Sequence, residues 1–256
     1  FAISLAPSSR GLLLWSKDLP SPSGLSVYVG PVDTENRVFT MLDKETMQWS
    51  GYSLDNGNKL WGPVGDPRDL QFYSSRSGGS NQMQQAAYGN LYVAGFGGLV
   101  YCYDTLTGQL EWTYGNGGPG NSTVSGLENV WGNYITFIGM IADGKIYTFT
   151  EEHSVNTPIY KGARMRCIDA MTGEEIWTLM AYASSTSFYS RFGPVADGYL
   201  AYFNGYDGQV YCLGKGPSQT TVSAGPKVST WGESVLLEGT VLDIAAGTKQ
   251  NEQAGR

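Results

Sequence analysis

Apolar residues in this chain come in short runs, broken every few positions by glycine, and within the runs they alternate rather than recur at helical spacing. The clearest stretch is "MQQAAYGNLYVAGFGGLVYCYDTLTGQLEWTYG". It predicts a strand near Met83 to Tyr88, a Gly-Asn turn, a second strand at Leu91 to Ala94, and a Gly-Gly turn. A third strand at Leu99 to Asp104, a Thr-Leu-Thr-Gly turn and a fourth strand at Gln109 to Tyr114 complete an antiparallel meander. Later copies carry "ADGK" (Ala142 to Lys145) and "ADGY" (Ala196 to Tyr199) at the first turn. Such Asp-Gly pairs favour hairpins because glycine takes positive φ without a Cβ clash. No stretch of a dozen residues has convincing 3.6 periodicity, and no run of eighteen apolar residues reads as a membrane span.

The meander repeats. "YCYDTLTGQLEW" (Tyr101 to Trp112) returns as "RCIDAMTGEEIW" (Arg166 to Trp177), and Gly-x-x-x-Trp occurs at Gly11/Trp15, Gly57/Trp61, Gly108/Trp112 and Gly173/Trp177. The tryptophans are 46, 51 and 65 residues apart. A period of roughly 40 to 50 residues built from short strands marks a radial β-repeat, so the expected fold is an all-β propeller of four-stranded antiparallel blades. Within each copy a clasp is expected. Asp104 and Asp169 end the third strand and accept hydrogen bonds from turn amides, followed by Thr107 and Thr172. Gly108 and Gly173 permit the reversal, and Trp112 and Trp177 start the outer strand, where an indole can cover the neighbouring sheet. In "YSLDNGNKLW" Ser53 stands at the aspartate's position with Asp55 two residues later, which predicts different wiring there. Trp112→Ala and Trp177→Ala are each expected to cost about 3 to 5 kcal/mol, as for buried aromatics generally.

Asp-x-x-Thr-Gly-x-x-x-Trp after an apolar strand resembles the tryptophan-docking repeat of quinoprotein-like (PQQ-like) β-propellers. More narrowly, "KETMQWSGYSLDNGNKLWGP", "GGLVYCYDTLTGQLEWTY", "ADGKIYTFTEEHS", "RCIDAMTGEEIW" and "NGYDGQVYCLGKGPSQTTVSA" look like archaeal secreted or cell-surface proteins with such a propeller followed by an immunoglobulin-like segment. The resemblance implies seven or eight blades and carries over no catalytic residue.

About four and a half units are expected: an outer hairpin from Ala2 to about Lys17, complete units at about Asp18 to Asp66, Pro67 to Gly115 and Asn116 to Ala181, and three strands to Leu213. The chain opens in mid-repeat with "FAISLAPSSRGLLLW", so a fragment is expected, its open blade faces covered by remaining blades or a second copy. After residue 215 the register changes. Residues 1–215 are expected to form the partial propeller, and 216–256 a linker and the start of an incomplete immunoglobulin-like sandwich, with alternation through Val235, Leu237 and Val241.

Composition narrows the partners. The 256 residues carry a formal charge of -7, with 35 glycines and only 15% charged residues, which suits turns and strands and argues against a surface that tracks nucleic-acid phosphates. Cys102, Cys167 and Cys212 share one repeat position, so they are expected to be buried thiols too far apart for a disulfide, whose Cα limit is roughly 7 Å.

Chemistry is expected in the irregular connections rather than in the repeats. Three stand out: Ser74 to Gln82, Gly115 to Asn133 and Glu151 to Arg164. The last holds the one histidine of the sequence, His153, beside Glu152, a pairing open to metal ligation or general base work as well as to plain loop anchoring. Arg164, Arg166 and Arg191 can fork onto a carboxylate or phosphate, or pair between blades. Tyr73 and Trp131 can stack on sugar rings or join the core, and Asn121-Ser122-Thr123 is a glycosylation sequon. A quinoprotein dehydrogenase would, by resemblance, need a quinone stacked on tryptophan, a calcium ion and adjacent paired cysteines, and the sequence has no Cys-Cys pair. No cofactor is therefore expected. The function these features point to is a non-catalytic extracellular propeller serving as a binding or assembly platform for a surface protein or glycan. A PQQ- and calcium-dependent oxidoreductase and a glycan-binding or glycan-cleaving propeller are the alternatives.

Overall fold

The computed structural model describes residues 1–19, 24, 26–65, 84–94, 99–115, 128–129, 132–133, 136–150, 164–181 and 195–244. Every regular element among them is a strand. A two-stranded hairpin, β1 (Ala2–Ile3) with β2 (Leu13–Trp15), comes first. Two four-stranded meanders follow: β3 (Val27–Asp33), β4 (Val38–Asp43), β5 (Gln48–Ser53) and β6 (Lys59–Val64), then β7 (Gln84–Ala87), β8 (Asn90–Val93), β9 (Val100–Asp104) and β10 (Leu110–Tyr114). A short pair, β11 (Glu128–Asn129) and β12 (Gly132–Asn133), precedes the third meander, β13 (Thr136–Ala142), β14 (Lys145–Thr150), β15 (Arg164–Asp169) and β16 (Glu175–Met180). Then come a three-stranded sheet of β17 (Val195–Ala196), β18 (Tyr199–Asn204) and β19 (Gln209–Gly214), and a long hairpin of β20 (Ser218–Gly225) and β21 (Leu236–Asp243). This is a partial β-propeller with three complete blades, each strand pairing antiparallel with its neighbour in sequence.

The first turn of the second blade differs by one residue from the Gly-Asn expectation. Tyr88 (φ 53°) and Gly89 (φ 73°) are both left-handed, and Asn90 already opens β8. Asp143-Gly144 and Asp197-Gly198 make the same turn, whose two positive φ values match the right-handed twist of the flanking strands.

The chain forms two compact units, residues 1–194 with 201–211, and 195–200 with 212–256. In the first, the middle blade is buried on both faces. Leu91, Val93, Tyr101 and Tyr103 pack with Leu42, Trp49 and Trp61 of the first blade, while Tyr92, Ala94, Val100 and Cys102 pack with Ile138, Ile146 and Ile168 of the third. Successive residues of a strand point to opposite faces, so a strand sandwiched this way must be apolar throughout, which "LYVA" and "LVYCY" are. In the second unit β20 and β21 pair over eight positions, from Ser218↔Asp243 to Gly225↔Leu236. No helix among the described residues is long and apolar enough to cross a membrane.

Candidate functional site

The clasp is built first by local hydrogen bonds. The Asp104 carboxylate accepts from the backbone N–H groups of Leu106 (3.0 Å) and Thr107 (2.7 Å) and from the Thr107 hydroxyl (2.8 Å), and Asp169 accepts from Met171 and Thr172 N–H, both at 2.9 Å. The Thr172 amide, with a smaller contribution from Met171, holds the Asp169 carboxyl below its usual range. In the first blade Ser53 Oγ accepts from Asp55 N–H (3.1 Å), and Asp55 instead pairs with Arg37, whose Nε donates at 2.7 Å. Each turn closes through its glycine: Gly57, Gly108 and Gly173 donate to Ser53, Asp104 and Asp169 carbonyls at 2.8, 2.8 and 3.0 Å.

The tryptophan then reaches out of its own sheet. Trp15 lies over Gly57, Trp61 over Gly108 and Trp112 over Gly173, so close that a Cβ on these glycines would stand 2.6 to 2.7 Å from the ring. Trp15 Nε1 donates to Leu54 O (2.8 Å) and Trp61 Nε1 to Thr105 O (2.6 Å). The equivalent acceptor for Trp112 is Ala170 O, three residues before Gly173. That carbonyl is engaged by the Tyr92 hydroxyl at 2.9 Å, and Trp112 Nε1 is buried with no hydrogen-bond partner among the described residues. Trp177 is half-buried against Tyr147 (centroids 6.0 Å apart), and among the described residues nothing lies within 4 Å of a Cβ position on Gly208, which closes the turn between β18 and β19. Gly11 is likewise open.

The register explains the repeated cysteine. Cys102 pairs across from Trp112, Cys167 from Trp177 and Gly51 from Trp61. The position beside the indole takes a small residue, and in the first blade a Cβ on Gly51 would fall 2.1 Å from Trp61. Cys102 and Cys167 are buried, and burial pushes both thiols up, Cys167 to about 11. Cys212, expected to be buried with them, is exposed; no Gly-x-x-x-Trp phrase follows it in the sequence, and its strand β19 ends the sheet β17-β18-β19.

Between the first and second blades, Thr105 is the junction. Its hydroxyl stands 2.6 Å from Asp33 Oδ2 and 2.8 Å from Gly89 O, and accepts from Asn36 Nδ2 at 3.0 Å. Between the second and third blades, tyrosines do this work. Tyr88 Oη accepts from Gly144 N–H (3.0 Å), Tyr92 donates to Ala170 O, and the Tyr114 hydroxyl donates to the Glu175 carboxylate. Glu175 Oε2 also lies 3.9 Å from Nε of Arg166, a fully buried guanidinium whose burial lowers its pKa. Arg166 thus stands beside a carboxylate on the neighbouring strand of its own blade, β16. Thr105, Tyr88, Tyr92 and Tyr114 were not singled out by sequence because their equivalents in other blades are different residues.

Of the candidate ligand residues, Arg164 opens β15 opposite Thr150 and Met180. Tyr73, Asn121, Trp131, Glu152, His153 and Arg191 lie outside the described residues. No group of three or more His, Cys, Asp or Glu that could hold a metal occurs among the described residues. The recurring tryptophans Trp15, Trp61 and Trp112 face neighbouring turns.

The family model described as outer membrane protein assembly factor BamB, a PQQ-like repeat, matches residues 5–127 and 52–233. The chain belongs to this repeat family. Among solved structures, BamB from Moraxella catarrhalis is similar at 16% identity and a TM-score of 0.45, over 80% of this chain and 50% of that one. The computationally designed Ika4 protein is similar at 11% identity and a TM-score of 0.46, over 81% and 100%. The quinohemoprotein alcohol dehydrogenase from Comamonas testosteroni is similar at 16% identity and a TM-score of 0.37, over 63% and 23%. The chain thus spans about half the length of the BamB structure. No curated protein matches it.

Proposed function

We propose that this member of the BamB-like repeat family is a non-catalytic platform, binding or assembling surface proteins or glycans outside the cell, at an archaeal cell surface, with β20–β21 opening an immunoglobulin-like module. The observation that carries the reading is how the repeated polar and aromatic groups are used. Asp104 and Asp169 accept from their own turn amides, and Trp15, Trp61 and Trp112 cover the next blade's glycine, so the phrase written along the chain builds a rigid stack. A repeat that is spent on rigidity leaves recognition to the connections between strands. The family's description as an assembly factor supports the same reading. Candidate contact residues are Tyr73, Trp131, Glu152, His153, Arg164 and Arg191, with Asn121 as a glycan attachment point.

Titration of the protein with pyrroloquinoline quinone and Ca²⁺, followed by calorimetry and absorbance, tests it. The expected result is no saturable heat and no quinone band on the protein. Tight, calcium-dependent quinone binding would turn the platform into an oxidoreductase.

A further inference from the structure

Asn-Gly occurs three times in the sequence, at Asn56, Asn116 and Asn204. The pair has a chemistry of its own, because glycine has no Cβ to shield its backbone nitrogen from the carboxamide of the residue before it. Asn116 lies outside the described residues. Asn204 is buried at the end of β18, its Oδ1 accepting from Tyr206 N–H at 3.2 Å. Asn56 differs, since it is exposed and its glycine is one of those that an indole covers. The clasps of the next two blades carry Thr107 and Thr172 at this position, so of the three covered turns this one holds the carboxamide.

Three contacts hold the Asn56-Gly57 turn in an unreactive shape. Gly57 N–H donates to Ser53 O at 2.8 Å, which keeps on the nitrogen the proton it must lose before it can attack. Asn56 Oδ1 accepts from Asn58 N–H at 2.8 Å, which ties the carboxamide to the residue beyond the glycine. The Trp15 ring lies over Gly57 and buries it, although Asn56 and Asn58 on either side are exposed. That ring is held in turn by its Nε1 donating to Leu54 O at 2.8 Å and by stacking on Phe39, centroids 6.4 Å apart. The reactivity of the turn therefore rests on a side chain from another sheet.

We propose that Asn56 is a modification site, whose side-chain amide is lost through a cyclic imide when Trp15 lifts from the turn in a local opening. Gly57 N gives its proton to water and bonds to Asn56 Cγ; the Cγ–Nδ2 bond breaks, and ammonia leaves with a proton taken back from water. A second water then opens the ring at either carbonyl, leaving aspartate or isoaspartate with no change of oxidation state. Both products act on the clasp. Each sets a new carboxylate beside Asp55, the partner of Arg37, and like charges at that distance repel. The iso form also adds a carbon to the main chain next to the glycine that lies under the ring, where a single Cβ would already stand 2.7 Å from the indole. Return of Trp15 is then opposed, so the change runs one way. This goes beyond the platform reading, since it concerns the covalent fate of one turn and not what the molecule holds.

Incubation of the 256-residue chain at mildly alkaline pH tests this, with proteolysis and mass spectrometry reading amide loss at Asn56 and Asn204 separately and chromatography resolving the aspartate and isoaspartate peptides. The native chain is expected to lose the Asn56 amide at least roughly tenfold more slowly than the chain unfolded in guanidinium chloride, and Trp15→Ala to speed the native loss by roughly tenfold, the scale of one modest contact. Asn204, in another sheet, should keep its rate in that variant. Equal Asn56 rates in the native and unfolded chains overturn the proposal, as does a Trp15→Ala chain that keeps the wild-type rate. Equal acceleration at Asn56 and Asn204 marks general loosening and overturns it too. If Trp15→Ala loses its strand signal in circular dichroism, Trp15→Phe decides, because it keeps a ring against Phe39 without the hydrogen bond to Leu54 O. Faster loss at Asn56 in that variant supports the proposal, and an unchanged rate overturns it.

Discussion

Trp61 and Trp112 do one job with different completeness. Both rings are buried over a glycine turn, but Trp61 also satisfies its N–H, whereas Trp112 faces a carbonyl that Tyr92 already holds. Truncating either to alanine should cost about 3 to 5 kcal/mol in urea unfolding, the range for buried aromatics. Trp177, half-buried, departs from the equal cost expected from the repeat. Trp177→Ala should cost less than about 2 kcal/mol, because a side chain that keeps much of its surface in water loses less transfer free energy. Tyr92→Phe frees Ala170 O for Trp112 Nε1, so one hydrogen bond replaces another and the net change should stay below about 1 kcal/mol. A loss well above about 2 kcal/mol would mean that the indole cannot reach that carbonyl.

At the scale of the turn, two requirements for glycine can be separated. Gly173 (φ 73°) and Gly208 (φ 70°) share a backbone conformation, but a Cβ meets the Trp112 ring at 2.6 Å only at Gly173. Gly208→Ala should cost about 1 kcal/mol for the left-handed backbone, and Gly173→Ala at least about 2 kcal/mol more for displacing the indole. Equal losses would show that ring contact contributes nothing. The aspartate of the same turn gives a pH test. Its folded pKa is depressed by the Thr172 and Met171 amides, so the stability it adds is present above the unfolded value of about 3.9 and lost as pH falls through the folded one. Asp169→Asn should therefore lower the urea midpoint at pH 7, with the gap to wild type closing below about pH 4. The turns were legible because everything they need lies within five residues: an acceptor at Asp104 or Asp169, a threonine, and a glycine that can reverse. Thr105 and Tyr92 were not, since each acts through a residue of another blade and neither recurs.

Across the molecule, the all-β propeller class and its three full blades were legible in the strand-and-turn period, and the family match over most of the chain agrees with it. Continuous apolar strands such as "LVYCY" already imply burial on both faces. Sequence by itself determined what is local or repeated: strand alternation, glycine turns, carboxylate acceptors and the spacing of the tryptophans. Tertiary structure alone decided which glycine each indole covers, why a cysteine or glycine stands beside it, that Cys212 is exposed, and that tyrosines replace an indole hydrogen bond at one joint. The indole seats and the Tyr92 hydrogen bond join residues 39 to 78 positions apart, set by how one sheet packs on the next. A repeat unit carries no record of its neighbour, so two units spelled alike can meet different partners.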